Sequence, residues 1–482
     1  MTVSAKRDDR PSGGPGEGWR TPAQRDMDRI LYASAYRRLA GVTQVLPAGQ
    51  QPLMHNRLTH TLKVQQVASR AAQWLKSTTP ESNIEAAGGL DPQVAEAAAA
   101  AHDLGHPPFG HIAEDELQHL LKGKLDDSFE GNAQTFRIVT KLSARKLAQS
   151  SQPDNLGLDL SFATQAAILK YPWCRGEHQQ RGAEKKLDSY YARKWGAYET
   201  ERPSLIEALE TIPEGRLRSL EADIMDYADD VTYAIHDIED FFRLGFIPLH
   251  SIAQGVLDTS GHREHREVFE GFWDFATAEI LYKGEIAFKP DVARDMLRRV
   301  APVLPSSPFL DTDLDRIGVH RFISHMVSTL QEGIKVSNQG KFIIPDATRM
   351  LIEVLKQLTW YFVIEHPQLA ALQQGQRRVI RDLLEWLTEW VEANDPSLFD
   401  ENTKIQKIAR RRVRELPARL IAFIDAGERD AEAQAIDIPA DKLRTRGVVD
   451  FIASLTEIEA YSLHRRLGGE DSSGLFPVAL VR

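Results

Sequence analysis

Two histidine–aspartate motifs are the residues of this chain with the clearest chemical potential. The first lies in residues 101–111, AHDLGHPPFGH, which Glu114 follows, and the second is the Asp229-Asp230 pair. Neutral imidazole and carboxylate both coordinate divalent ions such as Zn²⁺, Mn²⁺, Fe²⁺ and Mg²⁺. Adjacent His102 and Asp103, completed by one distant histidine and one distant aspartate, would form a mononuclear site with room for water. A site of this kind hydrolyses phosphate esters or anhydrides.

A second set of polar residues follows Asp229 at helical spacing. Asp229, Tyr233 and Asp237 are four residues apart, which places them on one face of a helix. The spacing also fits an ordinary solvated acidic face, because other aspartates lie nearby. His60 taken alone fits a buried structural histidine equally well. The three histidines in residues 101–111 are harder to explain by packing, so they carry the chemical interpretation.

Composition limits the classes of protein to which the chain can belong. With 482 residues, 42% apolar and 27% charged, it fits a soluble globular protein of one large body or two lobes. We expect neither a membrane span nor a secretory signal, since no long apolar run is present. Cys174 is the only cysteine, so we expect a reducing, cytoplasmic setting. The net charge of −10 argues against a nonspecific nucleic-acid coat and requires that an anion site be a local basic cluster.

The elements that must position these residues are predicted to be helices. A helix over 92–103, with Asp91 as N-cap and Pro92 in its first turn, would end where Gly105 and Pro107-Pro108 stop it. A long helix over 216–243 would carry the second motif, and another is expected over 402–427. The best candidate for a short strand is residues 341–344. The pattern as a whole predicts an all-α fold.

Four segments follow from this reading of the chain. We predict a disordered tail over 1–20, a catalytic bundle over 21–245, a C-terminal helical region over 246–470 and a tail over 471–482. The polar stretch 173–203 is predicted to be an exposed excursion or a mobile element, because it is rich in arginine and lysine.

Several motifs resemble the deoxyguanosinetriphosphate triphosphohydrolase family of the HD-domain superfamily, from about residue 25 to residue 467. They are YRRL at 36–39 with TQV at 43–45, RLTHT at 57–61, the 102–111 block with Glu114, FEGNAQ at 129–134, LKYP at 169–172, ADD at 228–230 continuing to Asp237, and DFIA at 450–453. The resemblance implies an HD-domain helical bundle with an additional C-terminal helical region. It implies metal ligands at His60, His102, Asp103 and Asp229. The ion expected is Mg²⁺ or Mn²⁺, although the donor set also accommodates Fe, Co, Ni or Zn.

The reaction implied is hydrolysis of a deoxynucleoside triphosphate, with dGTP as the default, to deoxynucleoside and tripolyphosphate. For this chemistry we assign proton transfer to His111, its orientation to Glu114, and a donor role beside the α-phosphate to His106. A loop-stabilising role for the two histidines is the alternative. The residues assigned to substrate binding are Arg57, Lys170 and Tyr171 for phosphate, Tyr233 and Asp237 for the deoxyribose, and Gln44 for the sugar or base. For Lys170 the alternative is a solvated helix end.

Competing functions remain open from the sequence. The alternatives are another HD-domain phosphohydrolase, or a non-catalytic regulator that binds nucleotide or single-stranded DNA. The resemblance also implies a homo-oligomer and a deoxynucleotide effector. Independently of the resemblance, the basic stretch 173–203 offers a surface that single-stranded DNA could bind as an effector. Base preference, the number of subunits and the native metal are not encoded in the motifs.

Overall fold

The computed structural model describes residues 6–14, 18–46, 54–143, 155–179, 192–257, 263–394, 416–433 and 437–470. Within these ranges the fold is all-α, as predicted, with one small antiparallel sheet. The helices are α1 (Pro22–Tyr32), α2 (Ser34–Arg38), α3 (Arg57–Thr78), α4 (Glu81–Ala86), α5 (Pro92–Ala101), α6 (His111–Leu120), α7 (Gly131–Arg137), α8 (Phe162–Ile168), α9 (Arg202–Leu209), α10 (Leu220–Arg243), α11 (Leu249–Leu257), α12 (Arg263–Lys283), α13 (Pro290–Val300), α14 (Asp313–Gln331), α15 (Asp346–Thr359), α16 (Pro367–Glu392), α17 (Ala418–Ala433), α18 (Ala440–Ala453) and α19 (Glu457–Leu467).

The two strands are β1 (Lys335–Val336) and β2 (Phe342–Ile343), which pair in antiparallel register. The second strand confirms the predicted one. Of the helix predicted over 402–427, residues 402–415 lie outside the described ranges, and the described part, α17, continues to Ala433. No helix in the described ranges is both long and apolar enough to cross a membrane.

Helix α5 lies at the centre of the bundle that positions the site. It begins as predicted, because Asp91 accepts a hydrogen bond from the Gln93 backbone amide at 2.8 Å and Pro92 occupies the first turn. Its five C-terminal alanines, residues 97–101, are fully buried. Small side chains let neighbouring helices approach closely, and α5 packs against α1, α3, α8 and α10. The helix therefore delivers its C-terminus, and the residues just after it, to the middle of the bundle.

The chain leaves α5 in a tight turn fixed by close packing against α7. Helix α5 ends at Ala101 rather than at residue 103, and His102 is its C-cap. A Cβ on Gly105 would lie 2.1 Å from the Gly131 carbonyl oxygen, so only glycine fits there. The Thr135 hydroxyl accepts from the Gly105 amide at 2.9 Å and donates to the His102 carbonyl at 3.0 Å. This turn holds His102 and Asp103 in a defined orientation.

A buried arginine fixes the remainder of this loop. Arg38 donates to the carbonyl oxygens of Leu104 at 2.8 Å and His106 at 2.7 Å, and to the Leu455 carbonyl at 3.1 Å. Burial, and after it the nearby Arg419 and Arg57 guanidinium groups, lowers the pKa of Arg38 to about 9. Arg38 thus ties the histidine loop to the C-terminal helices.

The hydrophobic core does not divide at the predicted boundary near residue 245. One buried cluster contains residues from Ala23 to Leu369, so it joins the catalytic bundle to α11–α16. A second hydrophobic core cluster joins α6 to α16, α18 and α19. In addition, Asp450 on α18 accepts from Arg137 Nε and Gln134 Nε2, both at 2.9 Å. The C-terminal helices therefore support α6 and α7 directly.

Two segments that the sequence predicted to be tail or excursion are partly buried where the structure describes them. Residues 6–14, assigned to a disordered tail, pack on the bundle, and Arg10 is buried with hydrogen bonds to Asp26 at 3.3 Å and to the Asp159 carbonyl at 2.9 Å. The predicted excursion 173–203 contains Trp173 and Trp195, which are buried in an aromatic cluster. Residues 180–191 of that stretch lie outside the described ranges. Sequence polarity failed here because buried ion pairs and interleaved aromatic residues offset the charged side chains.

Candidate active site

Three packed helices each contribute one potential metal ligand to a single point. His60 lies on α3, His102 caps α5, and Asp229 lies on α10. Oδ1 of Asp229 is 3.1 Å from His60 Nε2 and 3.6 Å from His102 Nε2, and the ligand atoms of all three lie within 4.8 Å of one another. Both histidines are buried, whereas the Asp229 side chain is 27% exposed. The cluster is thus open to solvent on the carboxylate side.

The fourth predicted ligand, Asp103, lies beside this cluster and is also held by other groups. Its Oδ2 is 3.4 Å from His102 Nε2 and accepts a 2.7 Å hydrogen bond from Arg57 Nη1. Its Oδ1 lies 3.1 Å from His106 Nδ1. Burial acts to raise the pKa of Asp103, but His102, Arg57 and His106 outweigh it and hold that pKa well below its usual range. Asp103 is therefore ionised and oriented next to the three clustered ligands.

The donor atoms of this cluster fit a divalent metal ion. His102 Nδ1 is 2.7 Å from the Ala99 carbonyl oxygen, which can only accept, so Nδ1 carries the hydrogen and the Nε2 lone pair faces the carboxylates. That Nε2 has no hydrogen-bond partner among the described residues. Burial lowers the pKa of His102, yet Asp103 and Asp229 together raise it to about 9. A metal ion would supply, in place of a proton, the positive charge that these carboxylates demand.

The residues predicted for proton transfer, His106, His111 and Glu114, lie on the side of Asp103 away from His102. They form the second cluster, and the three potential metal ligands form the metal cluster. The ring centroids of His106 and His111 are 4.9 Å apart, and Glu114 Oε2 is 3.9 Å from His106 Nε2. His111, the first residue of α6, is exposed, whereas Glu114 one turn later is buried. The structure thus brings the three residues together, with the His111 side chain exposed to solvent and the Glu114 carboxylate buried.

Glu114 is kept ionised by a lysine that the sequence did not assign. Its Oε1 lies 3.2 Å from Lys194 Nζ and accepts a 3.3 Å hydrogen bond from the Gly131 amide. Burial acts to raise the pKa of Glu114, but Lys194 and then the two histidines lower it to about 2. Lys194 also lies 3.2 Å from Glu130 Oε1. The polarity of the stretch 173–203 was visible in the sequence, but not that one of its lysines turns inward.

Arg57, predicted to clamp phosphate, is largely engaged with the protein. Its Nε donates to the Thr43 carbonyl at 3.1 Å and its Nη1 to Asp103. Nη2 has no hydrogen-bond partner among the described residues, and the side chain is almost fully buried. Gly110, the N-cap of α6, has a φ of +58°, which L side chains rarely adopt, and a Cβ there would also lie 2.8 Å from Nη2, so glycine is favoured at this position. Arg57 therefore orients Asp103, and only Nη2 is left to contact a substrate.

Replacing Arg57 should weaken metal binding as well as stability. We expect Arg57→Ala to lower the affinity for Mn²⁺ about 10–100-fold, because Asp103 loses the group that orients it. The free energy of unfolding should fall by about 3–5 kcal/mol, since a buried ion pair is broken. Isothermal titration calorimetry and chemical denaturation measure the two effects. Arg70→Ala, at an exposed position on the same helix, is the control. An unchanged Mn²⁺ affinity would contradict this role for Arg57.

Lys170 follows the C-terminus of α8 and lies near Oδ2 of Asp229, whereas the two histidines lie near Oδ1. Its Nζ is 2.6 Å from Asp226 Oδ1 and 3.8 Å from Asp229 Oδ2. Burial would lower the pKa of Lys170, but Asp226 and other acidic neighbours raise it well above the usual range. Lys170 is thus paired with aspartates, whereas a solvated helix end would leave its ammonium group in water. The ring of Tyr171 is buried in the aromatic cluster, 5.8 Å from that of Trp173.

Two of the three residues predicted to contact the sugar line one small cavity. Gln44 and Asp237 face the same cavity, and neither Gln44 Oε1 nor Asp237 Oδ2 has a hydrogen-bond partner among the described residues. Asp237 is buried, so the solvated acidic face is not its explanation. Burial, followed by the Asp240 carboxylate, raises the pKa of Asp237 well above its usual range. Tyr233 is half-buried one turn from both Asp229 and Asp237.

Other basic residues near α10 were missed at the sequence level. Arg218 Nη1 donates to Asp226 at 2.8 Å, and Lys356 Nζ, from α15, lies 3.2 Å from Asp230 Oδ1. The recurrence of aspartates along α10 was the signal that could have indicated basic partners. The role of Glu130, unassigned from its motif, is also visible, because it caps α7 by accepting from the Asn132 and Ala133 amides at 2.5 and 3.0 Å.

Comparison with known families and proteins agrees with this geometry. The HD domain family model matches residues 57–234, which include every residue of both clusters. The model of a phosphohydrolase-associated domain matches residues 342–413. Because HD domains are metal-dependent phosphohydrolases, the first match agrees with the ligand set of His60, His102 and Asp229.

Similar proteins extend over nearly the whole chain. A deoxyguanosinetriphosphate triphosphohydrolase-like protein from Streptomyces coelicolor is 31% identical, over 93% of each chain. A second such protein, from Corynebacterium efficiens, is 29% identical over 93% of this chain and 92% of its own. A third, named deoxyguanosinetriphosphate triphosphohydrolase-like protein 2, from Mesorhizobium japonicum, is 26% identical over 96% of each chain. The chain therefore belongs to the HD-domain phosphohydrolases and, within them, to the deoxyguanosinetriphosphate triphosphohydrolase-like family.

Proposed function

We propose that this protein hydrolyses deoxynucleoside triphosphates, with dGTP as the default substrate, to a deoxynucleoside and tripolyphosphate. The observation that carries the proposal is the arrangement along α10. Asp229 in the metal cluster, Tyr233 one turn later and Asp237 at the cavity follow one another on the same helix face. Potential metal ligands and a cavity lined by Gln44 and Asp237, both carried in part by α10, suit a substrate that has a phosphate group and a sugar hydroxyl group. The names of the relatives support the same substrate class.

The metal would be held by His60, His102 and Asp229, with Asp103 beside them. When bound, a divalent ion neutralises charge on phosphoryl oxygens and lowers the pKa of coordinated water. Lys170 supplies a fixed positive charge next to Asp229, and the remaining Nη2 of Arg57 supplies another. These cations lower the electrostatic cost of binding a polyanion next to the carboxylates of Asp103 and Asp229.

Proton transfer falls to the second cluster. His111 takes a proton from the attacking water, and the ionised Glu114 stabilises the resulting positive charge on the imidazole pair. His106, held by Asp103 at 3.1 Å, donates toward the α-phosphate. Water adds to the α-phosphorus, the bond from phosphorus to the 5′-oxygen breaks, and the proton that the imidazole pair took from the water passes to the leaving 5′-oxygen. The three phosphates stay together.

Selection of deoxyribose is assigned to the cavity. Asp237, whose raised pKa favours the protonated carboxyl group, can exchange hydrogen bonds with the 3′-hydroxyl together with the Gln44 amide. The Tyr233 ring would pack against C2′, where a 2′-hydroxyl would collide with it. In this proposal the catalytic bundle of residues 21–245 binds substrate, and the helical region 246–470 supports it.

The test is product analysis by ion-exchange chromatography. The protein is incubated with each deoxynucleoside triphosphate and with GTP, in Mg²⁺ or Mn²⁺, with and without a second deoxynucleotide as activator. We expect deoxynucleoside plus tripolyphosphate, with GTP uncleaved. Asp229→Asn protein, purified in parallel, controls for contaminating phosphatases. Release of monophosphate and pyrophosphate would contradict the assigned bond cleavage, and absence of any product would favour a regulatory binding protein.

The proposal extends to partners and setting. We propose a homo-oligomer in the cytoplasm, regulated by a deoxynucleotide or single-stranded DNA, with Mg²⁺ or Mn²⁺ as the metal. Single-stranded DNA binding would be tested by measuring how the affinity depends on salt concentration, because contacts to phosphates release counterions. Sedimentation analysis would test the assembly.

A further inference from the structure

The second cluster has the composition of a metal site but contains a lysine. His106, His111 and Glu114 offer ligand atoms that lie within 4.8 Å of one another. Lys194 Nζ lies 3.2 Å from Glu114 Oε1, and its side chain is 26% exposed. An ammonium group therefore already occupies the neighbourhood in which a second divalent ion would balance Glu114.

The position of Lys194 is determined from both sides. Glu130 is immobilised by its two backbone hydrogen bonds at the N-terminus of α7, and its Oε1 lies 3.2 Å from Lys194 Nζ. Glu114 in turn accepts from the Gly131 amide. The lysine thus bridges two carboxylates that are each attached to the first turn of the same helix.

Electrostatics makes this cation necessary for the cluster as it stands. Glu114 and Glu130 are both buried, at 3% and 0% exposure. Two carboxylates that share a desolvated site with no cation cannot both stay ionised at ordinary cost. Without Lys194, one of them would take up a proton or the site would take up another cation. His106 and His111 beside Glu114 offer that other cation two imidazole ligands.

We propose that Lys194 takes the place of a second metal ion beside His106, His111 and Glu114. Its ammonium group holds Glu114 ionised and in position and excludes a divalent cation from this cluster. Lys194 acts through Glu114 and is a positioning residue. Its catalytic consequence rests on the proposed function, in which Glu114 works with His111, whereas the exclusion of a second ion does not depend on which substrate is cleaved.

The primary test counts Mn²⁺ ions bound per chain, by equilibrium dialysis and metal analysis, in wild type and in Lys194→Met. We expect Lys194→Met to bind one more Mn²⁺ per chain than wild type. Lys194→Arg, which keeps the charge, and Lys442→Met, which removes a partly exposed lysine paired with Asp126, should bind the wild-type number. Equal binding by Lys194→Met and wild type would overturn the proposal. This result is obtained whether or not the protein cleaves deoxynucleotides.

A second variant, in which the loss of charge is balanced, covers the case in which Lys194→Met does not fold. Glu130→Gln combined with Lys194→Met removes one negative and one positive charge, and the glutamine oxygen can still cap α7. Melting curves decide which variant is used. The double variant retains Glu114 and both histidines, so it should also gain one Mn²⁺, and failure to do so in folded protein counts against the proposal.

Kinetics separate positioning from direct substrate binding. The assay uses dGTP and a Mn²⁺ concentration that saturates the His60, His102 and Asp229 cluster but leaves the additional site of the variant empty. Under these conditions Lys194→Met should lower kcat about 100-fold, with KM changed less than about threefold. Lys194→Arg should recover part of kcat. A raised KM with unchanged kcat would mean that Lys194 contacts the triphosphate, and would overturn its positioning role. No turnover by wild type would refute the proposed function and leave the Mn²⁺ count to decide the role of Lys194.

Discussion

Asp229→Asn is expected to lose divalent-metal binding and, with it, hydrolysis, by a factor on the order of 10⁴. Oδ1 of Asp229 is the atom that both His60 Nε2 and His102 Nε2 face. The hydrogen bonds to those histidines outweigh burial and hold the pKa of Asp229 well below its usual range, so the native group is a permanent anion. An asparagine amide has nearly the same shape but no charge. Calorimetric Mn²⁺ titration and turnover of dGTP measure the two losses.

The neighbouring aspartate provides a matched control. Asp230 follows Asp229 on α10, and its 43% exposed side chain pairs with Lys356 rather than with the histidines. Asp230→Asn removes the same charge from the same helix turn, and we expect Mn²⁺ affinity and kcat within about threefold of wild type. If Asp229→Asn retained metal binding, or if both variants lost it equally, the assignment of this ligand would be refuted.

The local part of this site could be predicted because short-range rules determine it. Proline and glycine after residue 104 predicted that a helix would end beside His102 and Asp103, and α5 ends two residues before the predicted limit. The i, i+4 spacing placed Asp229, Tyr233 and Asp237 on one helix face, and α10 confirms the helix. The all-α class followed from the same periodicity.

The hydrogen bonds and ion pairs that orient the carboxylates of the site could not be predicted, because each of them joins distant parts of the chain. Arg57 looked like a phosphate clamp from its place near His60, whereas the structure pairs it with Asp103, 46 residues away. Lys194 reaches Glu114 across 80 residues, and Arg137 reaches Asp450 across 313. A charged residue in a polar stretch carries no local sign of a buried carboxylate elsewhere. The same reason explains why residues 6–14 were assigned to a tail.

The other large effect is expected from Glu114→Gln, which should lower kcat about 100- to 1,000-fold while KM for dGTP changes little. Glutamine keeps the size of the side chain and can still accept from the Gly131 amide. It cannot balance a positive charge on His106 or His111, so the loss falls on the step in which the imidazole takes up a proton. Steady-state kinetics at saturating metal give kcat and KM separately.

Two comparisons show whether Glu114 acts in proton transfer rather than in folding. Glu116 on the same helix is equally buried but pairs with Arg381 of α16 at 2.7 Å, away from the histidines. Glu116→Gln should therefore lower the melting temperature with kcat nearly unchanged, the reverse of Glu114→Gln. His111→Ala and the double variant His111→Ala/Glu114→Gln complete a cycle. Because the two groups act as a unit, the double variant should be no slower than His111→Ala alone. Losses that multiply would instead mean that Glu114 and His111 contribute to catalysis independently.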